Sequence, residues 1–201
     1  MDASQIVEFQ LKLIFQKVLH NQANRIWIFF DDSLTASIHS QSDQFLSIKF
    51  DHNALATEFL ATFVHAHCTQ AARATLWDDL SQVCAMNIPG VIYDDFNVIV
   101  SAEEKRGGCP FQVSDSTDFI NFISSNSLLD AGFSGASYTW CNNRAGKARI
   151  WKRLDRIFLN PQWISLNLNN SVAHLARVGS DHAPLLAAHS QQSKPKCLFR
   201  F

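Results

Sequence analysis

The chain has 201 residues, is 47% hydrophobic and carries a formal net charge of −1 at pH 7. This length allows one large domain or two small ones, and the apolar content is enough for a proper core. The near-neutral charge excludes a protein whose whole surface is basic, so any contact with a polyanion must be local.

The five cysteines, at positions 68, 84, 109, 141 and 197, are scattered and include no CxxC pair. That pattern favours a reduced, intracellular setting over a disulfide framework. The first 30 residues lack a basic segment followed by an apolar one, so we expect no signal peptide. We also expect no transmembrane segment and no membrane partner, because no apolar run approaches the roughly 20 residues that a span needs.

Apolar spacing predicts the elements of the first part of the chain. Ile6, Phe9 and Leu13 recur at helical spacing, whereas "FLSIKF" alternates as a half-buried strand does. In chain order, the predicted elements are a helix over 4–13, strands over 26–30, 45–50 and 60–66, a helix over 70–84, a buried strand starting at 90, and a helix over 117–127 capped by Ser116.

Short strands follow, predicted over 138–140, 150–159, 171–178 and 183–188, with a helical turn at Pro161. Strands and helices mix without strict alternation, which favours a layered α/β sandwich with much antiparallel pairing. Because no Gly/Ser/Pro-rich linker divides the chain, we predict one domain over 1–188 and a polar tail over 189–201.

The stretch "VIYDDFNVIV" places acids and an amide in an apolar run. Burial of an unpaired carboxylate is costly. On a strand, Asp95 and Asn97 would point to the same side, where they could hold a water and a phosphate oxygen. A turn at this point, where Asp and Asn are common, explains the same residues equally well.

The stretch "RIWKRLDRIF" alternates in polarity and is predicted to be one strand. Residues 144–156 carry six cations and one acid, Asp155. This lone carboxylate would form a surface ion pair or orient a histidine.

Two other stretches place histidines in polar surroundings. In "GSDHAPLL", Asp181 and His182 precede an apolar strand, and this stretch alone favours a polar turn over a functional site. In "HAHC", His65 and His67 share a strand face, but no second pair of zinc ligands is evident, so we do not favour a metal there.

Taken together, "DDFNVI…AEEKRGG", "GFSGASYTW", "RIWKRLDRIFLNPQW" and "HLARVGSDHAPLL" resemble the endonuclease/exonuclease/phosphatase family, which includes deoxyribonuclease I. The likeness is greatest to the endonuclease-like domain of plant non-LTR (LINE-type) retrotransposons and runs from about residue 5 to 188. It implies an α-β-β-α sandwich of two mixed or antiparallel sheets.

The resemblance also implies Mg²⁺-dependent hydrolysis of DNA phosphodiester bonds, with Mn²⁺ as a possible substitute. By it, Asp95 positions or activates water, Asn97 holds the scissile phosphate, and Asp155 orients the catalytic His182. Asp181 matches a metal-associated aspartate. Whether His182 or Asp95 is the general base stays open at this point.

Some features depart from the family's pattern. The chain is expected to begin past the strands that carry an active-site Asn and a metal-binding Glu, and Asp94 replaces a glycine. Two hypotheses follow: an endonuclease that nicks DNA, or an inactive remnant that binds nucleic acid weakly. The residues predicted to contact nucleic acid are Arg144, Lys147, Arg149, Lys152 and Arg153.

The retrotransposon likeness further implies a reverse transcriptase domain as a partner in the full-length element and a nuclear location. Without its first strands, the strand "APLLAA" would present an open apolar edge. We therefore expect the chain to self-associate.

Overall fold

The computed structural model describes residues 3–52 and 57–191. The helix predicted over 70–84 is confirmed to the residue, and its first turn is capped by the Thr69 hydroxyl, which accepts from the Ala72 amide. Ser116 does precede a helix, but its hydroxyl donates to the Ile99 carbonyl oxygen at 2.6 Å and so does not cap it. The helices are α1 (Ala3–Leu13), α2 (Gln70–Cys84), α3 (Thr117–Ser125) and α4 (Pro161–Ser165).

Fourteen strands are formed within the described residues, and five of them, β1, β3, β7, β8 and β9, were not predicted. In chain order they are β1 (Lys17–His20), β2 (Trp27–Phe30), β3 (Thr35–Gln41), β4 (Phe45–His52), β5 (Thr57–His65), β6 (Gly90–Asp95), β7 (Lys105–Arg106), β8 (Leu129–Asp130), β9 (Ser134–Gly135), β10 (Trp140–Cys141), β11 (Trp151–Lys152), β12 (Asp155–Leu159), β13 (Leu168–His174) and β14 (Leu185–Gln191). The strand β14 continues to Gln191, into the tail predicted over 189–201, and residues 192–201 lie outside the described residues.

The largest sheet has six strands in the order β3-β4-β5-β6-β12-β8. Within this sheet only β5 and β6, which α2 connects in the chain, pair in parallel, and the other neighbours are antiparallel. One face of this sheet packs on α2 and α3 through an apolar cluster that includes Trp77, Phe96, Phe119 and Phe158.

The other face is covered by two separate β units, the hairpin β1–β2 and the sheet β14-β13-β9. Ile26 and Phe30 pack over β4 and β5, whereas Val172 packs over Val91 and Ile157. Beyond the hairpin, Phe9 of α1 contacts Trp27 edge-to-face. This arrangement confirms the predicted layered α/β sandwich.

The segment predicted as one strand over 150–159 is divided in two. Residues Trp151–Lys152 form β11 in a small sheet with β10 and β7, whereas Asp155–Leu159 form β12 in the six-stranded sheet. The break is held by Thr139, whose hydroxyl accepts from the amides of both Leu154 (2.9 Å) and Asp155 (3.0 Å). The alternation of polarity therefore does not continue across the break.

An ion-pair cluster is buried beside this break. Arg156, which is 2% exposed, donates to both Glu104 carboxylate oxygens, and Arg153 pairs with Glu104 at 3.2 Å and Asp130 at 2.9 Å. The Arg153 guanidinium also lies 4.6 Å from the centre of the Phe133 ring. Two buried cations thus have carboxylate partners, as burial requires.

No helix within the described ranges is both long and apolar enough to cross a membrane.

Candidate active site

The candidate site lies where three neighbouring strands end. In the sheet register, Asp95 at the end of β6 stands opposite His65 of β5 on one side and Asp155 of β12 on the other. Residues directly opposite each other project from the same face of a sheet. The two carboxylates are therefore neighbours, and both are buried, at 5% and 3% exposure.

A histidine completes the cluster. His182 Nδ1 lies 3.0 Å from both carboxylate oxygens of Asp155. This contact fixes the ring and leaves Nε2 for a substrate. Asp155 thus orients a histidine, which was one of the two sequence interpretations, and it does not lie at the surface.

Asp95 is held from its own loop. Its Oδ1 accepts from the Asn97 amide at 2.8 Å, and its Oδ2 accepts from Asn97 Nδ2 at 3.1 Å. Asn97 Nδ2 also donates to the Ala66 carbonyl oxygen at 3.0 Å. The strand ends at Asp95 and Asn97 has a φ of 53°, so the two residues meet through a turn and not through strand alternation. Of the two interpretations that the sequence left open here, a strand and a turn, the structure forms the turn.

Asp95 and His182 shift each other's protonation, and the charge of Asp155 shifts both. Burial raises the pKa of Asp95 to about 6, and the charge of Asp155 adds to this. For His182, burial lowers the pKa, but the hydrogen bond and charge of Asp155, together with Asp95 and Asp181, outweigh it and raise the pKa to about 9. At pH 7 the site therefore holds a cationic imidazole beside buried carboxylates.

Asp94 adds a third carboxylate at the same strand end. It is exposed at the surface, although protein atoms crowd it, and its backbone has a φ of 98°. Partial desolvation of its carboxyl group by these atoms, and then the charges of Asp155 and Asp95, raise the pKa of Asp94 to about 7. An L-residue with this φ is strained, whereas glycine is not.

Asp181 points elsewhere. Its carboxylate accepts from Trp140 Nε1 at 3.0 Å, and this hydrogen bond lowers the pKa of Asp181. Within residues 3–52 and 57–191, the one group of His, Cys, Asp or Glu that could hold a metal is Asp95, Asp155 and His182, whose donor atoms lie within 4.8 Å of one another. Asp181 lies outside that group, so its role as a metal ligand stays a prediction.

The histidines of "HAHC" separate. His65 Nδ1 lies 3.9 Å from Asp95, at the edge of the site, whereas His67 Nε2 pairs with Asp43 at 3.0 Å. Burial lowers the pKa of His65.

The predicted basic residues divide into two sets. Arg144, Lys147 and Arg149 are exposed, and the last two line a cavity of about 650 Å³ with Trp151. Arg153 is buried in the ion-pair cluster, so its prediction as a nucleic-acid contact does not fit its position. Lys152 is half-buried and faces a different cavity.

Two further residues, Thr139 and Arg177, contact segments that carry or flank the site residues, and sequence reasoning missed both. Thr139, fully buried, joins the Asp155 segment to the His182 segment, because its carbonyl oxygen accepts from the Ala183 amide at 2.7 Å. Arg177 lies over the Trp151 ring at 4.9 Å and donates to Asn143 at 2.8 Å. Thr139 stands within the quoted "GFSGASYTW" motif, which was the available signal.

The chain matches no protein-family model and no curated protein in sequence, but its fold matches solved structures. The endonuclease domain of TRAS1, a telomere-specific non-LTR retrotransposon, aligns with a TM-score of 0.66 at 14% identity, over 88% of this chain and 81% of that one. The mannosyl-6-phosphatase Bt3783 of Bacteroides thetaiotaomicron aligns with a TM-score of 0.60 at 16% identity, over 92% of this chain and 81% of that one. TDP2 of D. rerio, complexed with a single-strand DNA product, aligns with a TM-score of 0.60 at 11% identity, over 92% of this chain and 81% of that one.

Proposed function

We propose that this chain, whose fold is that of the deoxyribonuclease I-like endonuclease/exonuclease/phosphatase proteins, hydrolyses phosphodiester bonds in nucleic acid with the help of a divalent metal ion. The observation that carries the proposal is the convergence of His182, Asp155 and Asp95 at one strand end. The neighbours named as an endonuclease and as a complex with single-strand DNA support nucleic acid as the substrate.

The protonation states favour distinct roles for the two titratable groups. With a pKa near 6, Asp95 is mostly ionised at pH 7 and can accept a proton from an attacking water. With a pKa near 9, His182 is a cation that can donate from Nε2 to a phosphate oxygen. Asp155 holds the imidazole in place, and Asn97 holds the Asp95 carboxylate.

The residues present fit a hard divalent ion. Mg²⁺ binds proteins through one or two carboxylates and completes its shell with water and substrate phosphates. Asp95 and Asp155, directly opposite each other in the sheet, supply that pair, and their mutual repulsion is what a cation relieves. When bound, such an ion stabilises negative charge on the phosphate. We propose Mg²⁺, with Mn²⁺ as an alternative, and these same two carboxylates as the residues that hold it.

DNA is our proposed substrate, with the exposed Arg144, Lys147 and Arg149 as contacts for its backbone. Phosphate contacts of this kind position a nucleic acid without reading its sequence. A role in retrotransposition, with a reverse transcriptase domain as partner and a nuclear location, completes the proposal and follows from the retrotransposon likeness alone.

A second candidate is a remnant that keeps the fold without the activity. The observation that favours it is Asp94, a third carboxyl group that lies close enough to Asp155 and Asp95 for their charges to raise its pKa. Like charges at this position oppose substrate binding.

Cleavage of supercoiled plasmid with Mg²⁺ or Mn²⁺ separates the two candidates. We expect slow nicking that stops when EDTA is added and falls at least 10²-fold in His182→Ala, since a positioned acid–base group contributes about 10²–10⁴-fold. His39→Ala, in an exposed position on β3, is the matched control and should nick like the unmodified chain. No EDTA-sensitive nicking by the unmodified chain would leave only the inactive remnant, whereas equal EDTA-sensitive nicking by His182→Ala would refute the role of His182.

A further inference from the structure

A second cavity lies beside the candidate active site. It has a volume of about 260 Å³ and begins at Asn97, the residue that holds Asp95. Arg73 of α2, Lys105 of β7 and Lys152 of β11 line it, with Asp115 as the one carboxylate of its lining. The cavity is therefore small, next to the reacting groups and positively charged.

The two lysines face each other. Lys105 and Lys152 are directly opposite in the antiparallel pair of β7 and β11. Like charges in this relation destabilise a sheet. Burial, and then the charges of Lys105 and Arg73, lower the pKa of Lys152. A pair that costs stability in the fold is expected where a ligand of opposite charge binds.

Neither lysine has its charge satisfied by the protein. Lys105 Nζ donates to the Cys109 carbonyl oxygen, and Lys152 Nζ lies 5.8 Å from the centre of the Trp140 ring. Across the described ranges, 3–52 and 57–191, no carboxylate forms an ion pair with Arg73, Lys105 or Lys152. Each ammonium carries three donors, so most of them are left for a ligand.

Arg73 supplies the independent observation. It is only 5% exposed, yet its Nε has no hydrogen-bond partner, and Nη1 donates to the His67 carbonyl oxygen at 2.8 Å. Unlike Arg153 and Arg156, it also has no carboxylate partner among the described residues, and a buried cation without one is costly and calls for an explanation. Its guanidinium also lies close enough to lower the pKa of Asp95, so it connects the cavity to the active site.

We propose that this cavity is a subsite for a phosphate group, which holds a second phosphate of the substrate beside the one that is cleaved. The inference rests on the proposed function for its context, but not for its chemistry. A phosphate presents several acceptor oxygens, which match the ammonium groups of Lys105 and Lys152, and the Arg73 guanidinium adds a third positive charge to the lining. The volume is below the usual range for drug-sized ligands and suits one phosphate with part of a sugar.

The first test measures binding without catalysis. Thermal melts with inorganic phosphate, in EDTA so that no metal site takes part, should show stabilisation of the unmodified chain. Lys152→Met and Lys105→Met should each weaken the apparent affinity at least tenfold. The control is Lys49→Met on β4, which removes a lysine paired with Glu58 at 2.8 Å and should leave the response unchanged.

The same variants exclude a purely structural role. If the lysines only supported the fold, their replacement would lower the melting temperature without phosphate. We expect the opposite, a melting temperature that is equal or higher, because the replacement relieves the repulsion across β7 and β11. Equal phosphate responses in all four proteins, or no response in any, would overturn the subsite.

The second test identifies the source of the phosphate. Fluorescence anisotropy compares short single-stranded oligonucleotides that differ only in a terminal phosphate. Tighter binding of the phosphorylated form, lost in Lys152→Met, supports a nucleic-acid phosphate, whereas a response to inorganic phosphate alone supports a small phosphate ester. Lysine-dependent binding without plasmid nicking would refute the proposed function and keep the subsite. Normal nicking with no lysine-dependent binding would refute the subsite and keep the proposed function.

Discussion

Replacing Asp94 with glycine tests the strain at the strand end. The φ of 98° at this aspartate is a conformation that glycine adopts freely. Such strain costs roughly 1–3 kcal/mol, and glycine returns roughly 0.5–1 kcal/mol through the greater entropy of the unfolded chain. We therefore expect Asp94→Gly to increase the free energy of unfolding by about 1 kcal/mol, which raises the melting temperature of a chain this long by about 2–4 °C.

The matched control is Asp94→Asn, which removes the charge and keeps a side chain on the strained backbone. Both variants remove a carboxyl group that lies close enough to Asp155 and Asp95 for their charges to raise its pKa. Both should also increase plasmid nicking, whereas only the glycine variant should gain stability from its backbone. Chemical denaturation at pH 7 measures the stability difference. A glycine variant less stable than the unmodified chain, or an asparagine variant that gains as much, would refute the argument from strain.

Three other perturbations give equally definite expectations. The pKa of His182 rises from 6.5 to about 9 on folding, so its stabilising contact is complete below pH 6.5 and lost as the pH rises to about 9. Denaturation across this range should show stability falling by about 1–3 kcal/mol after allowance for solvent screening, and His182→Ala should lack this fall. Glu104→Ala leaves Arg156 buried without its main partner and should cost about 3–5 kcal/mol in a urea titration, whereas Glu103→Ala, at an exposed neighbour, should melt like the unmodified chain. The last strand, β14, ends its sheet with Leu186 57% exposed, so size-exclusion chromatography should show self-association that Leu186→Lys reduces; a clean monomer with one melting transition would contradict this.

Local patterns carried much of the fold. The apolar stripe over 70–84 defines α2 to the residue, because packing against the sheet and a Thr69 cap agree with the helical period. The strand β3 was missed because its sequence, TASIHSQ, is mostly polar and is ordered by pairing with β4. The break within 150–159 could not be predicted either, since it depends on the Thr139 hydroxyl, which is distant in sequence.

The site was predictable only in part, for a similar reason. The ordered motifs single out Asp95, Asp155 and His182, and the structure brings these three residues together. What the motifs do not carry is the direction of each side chain: Asp181 points to Trp140, and Arg153 turns into the buried ion pairs. The phosphate cavity joins residues 73, 105 and 152, which no local pattern connects.

The ion pairs of Arg156 also determine the face of the sheet to which the neighbouring side chain, that of Asp155, points. Side chains alternate along a strand, and a slip of one position exchanges the two faces. Because Arg156 pairs with Glu104 on the helix side of the sheet, the adjacent Asp155 side chain points to the opposite face, where it contacts His182. A displaced alignment of β12 against β6 would bury a guanidinium without partners, which is costly. The ion-pair cluster on one face of the sheet therefore fixes the strand alignment on which the contact between Asp155 and His182 on the other face depends. A misaligned chain would lose stability as well as this contact.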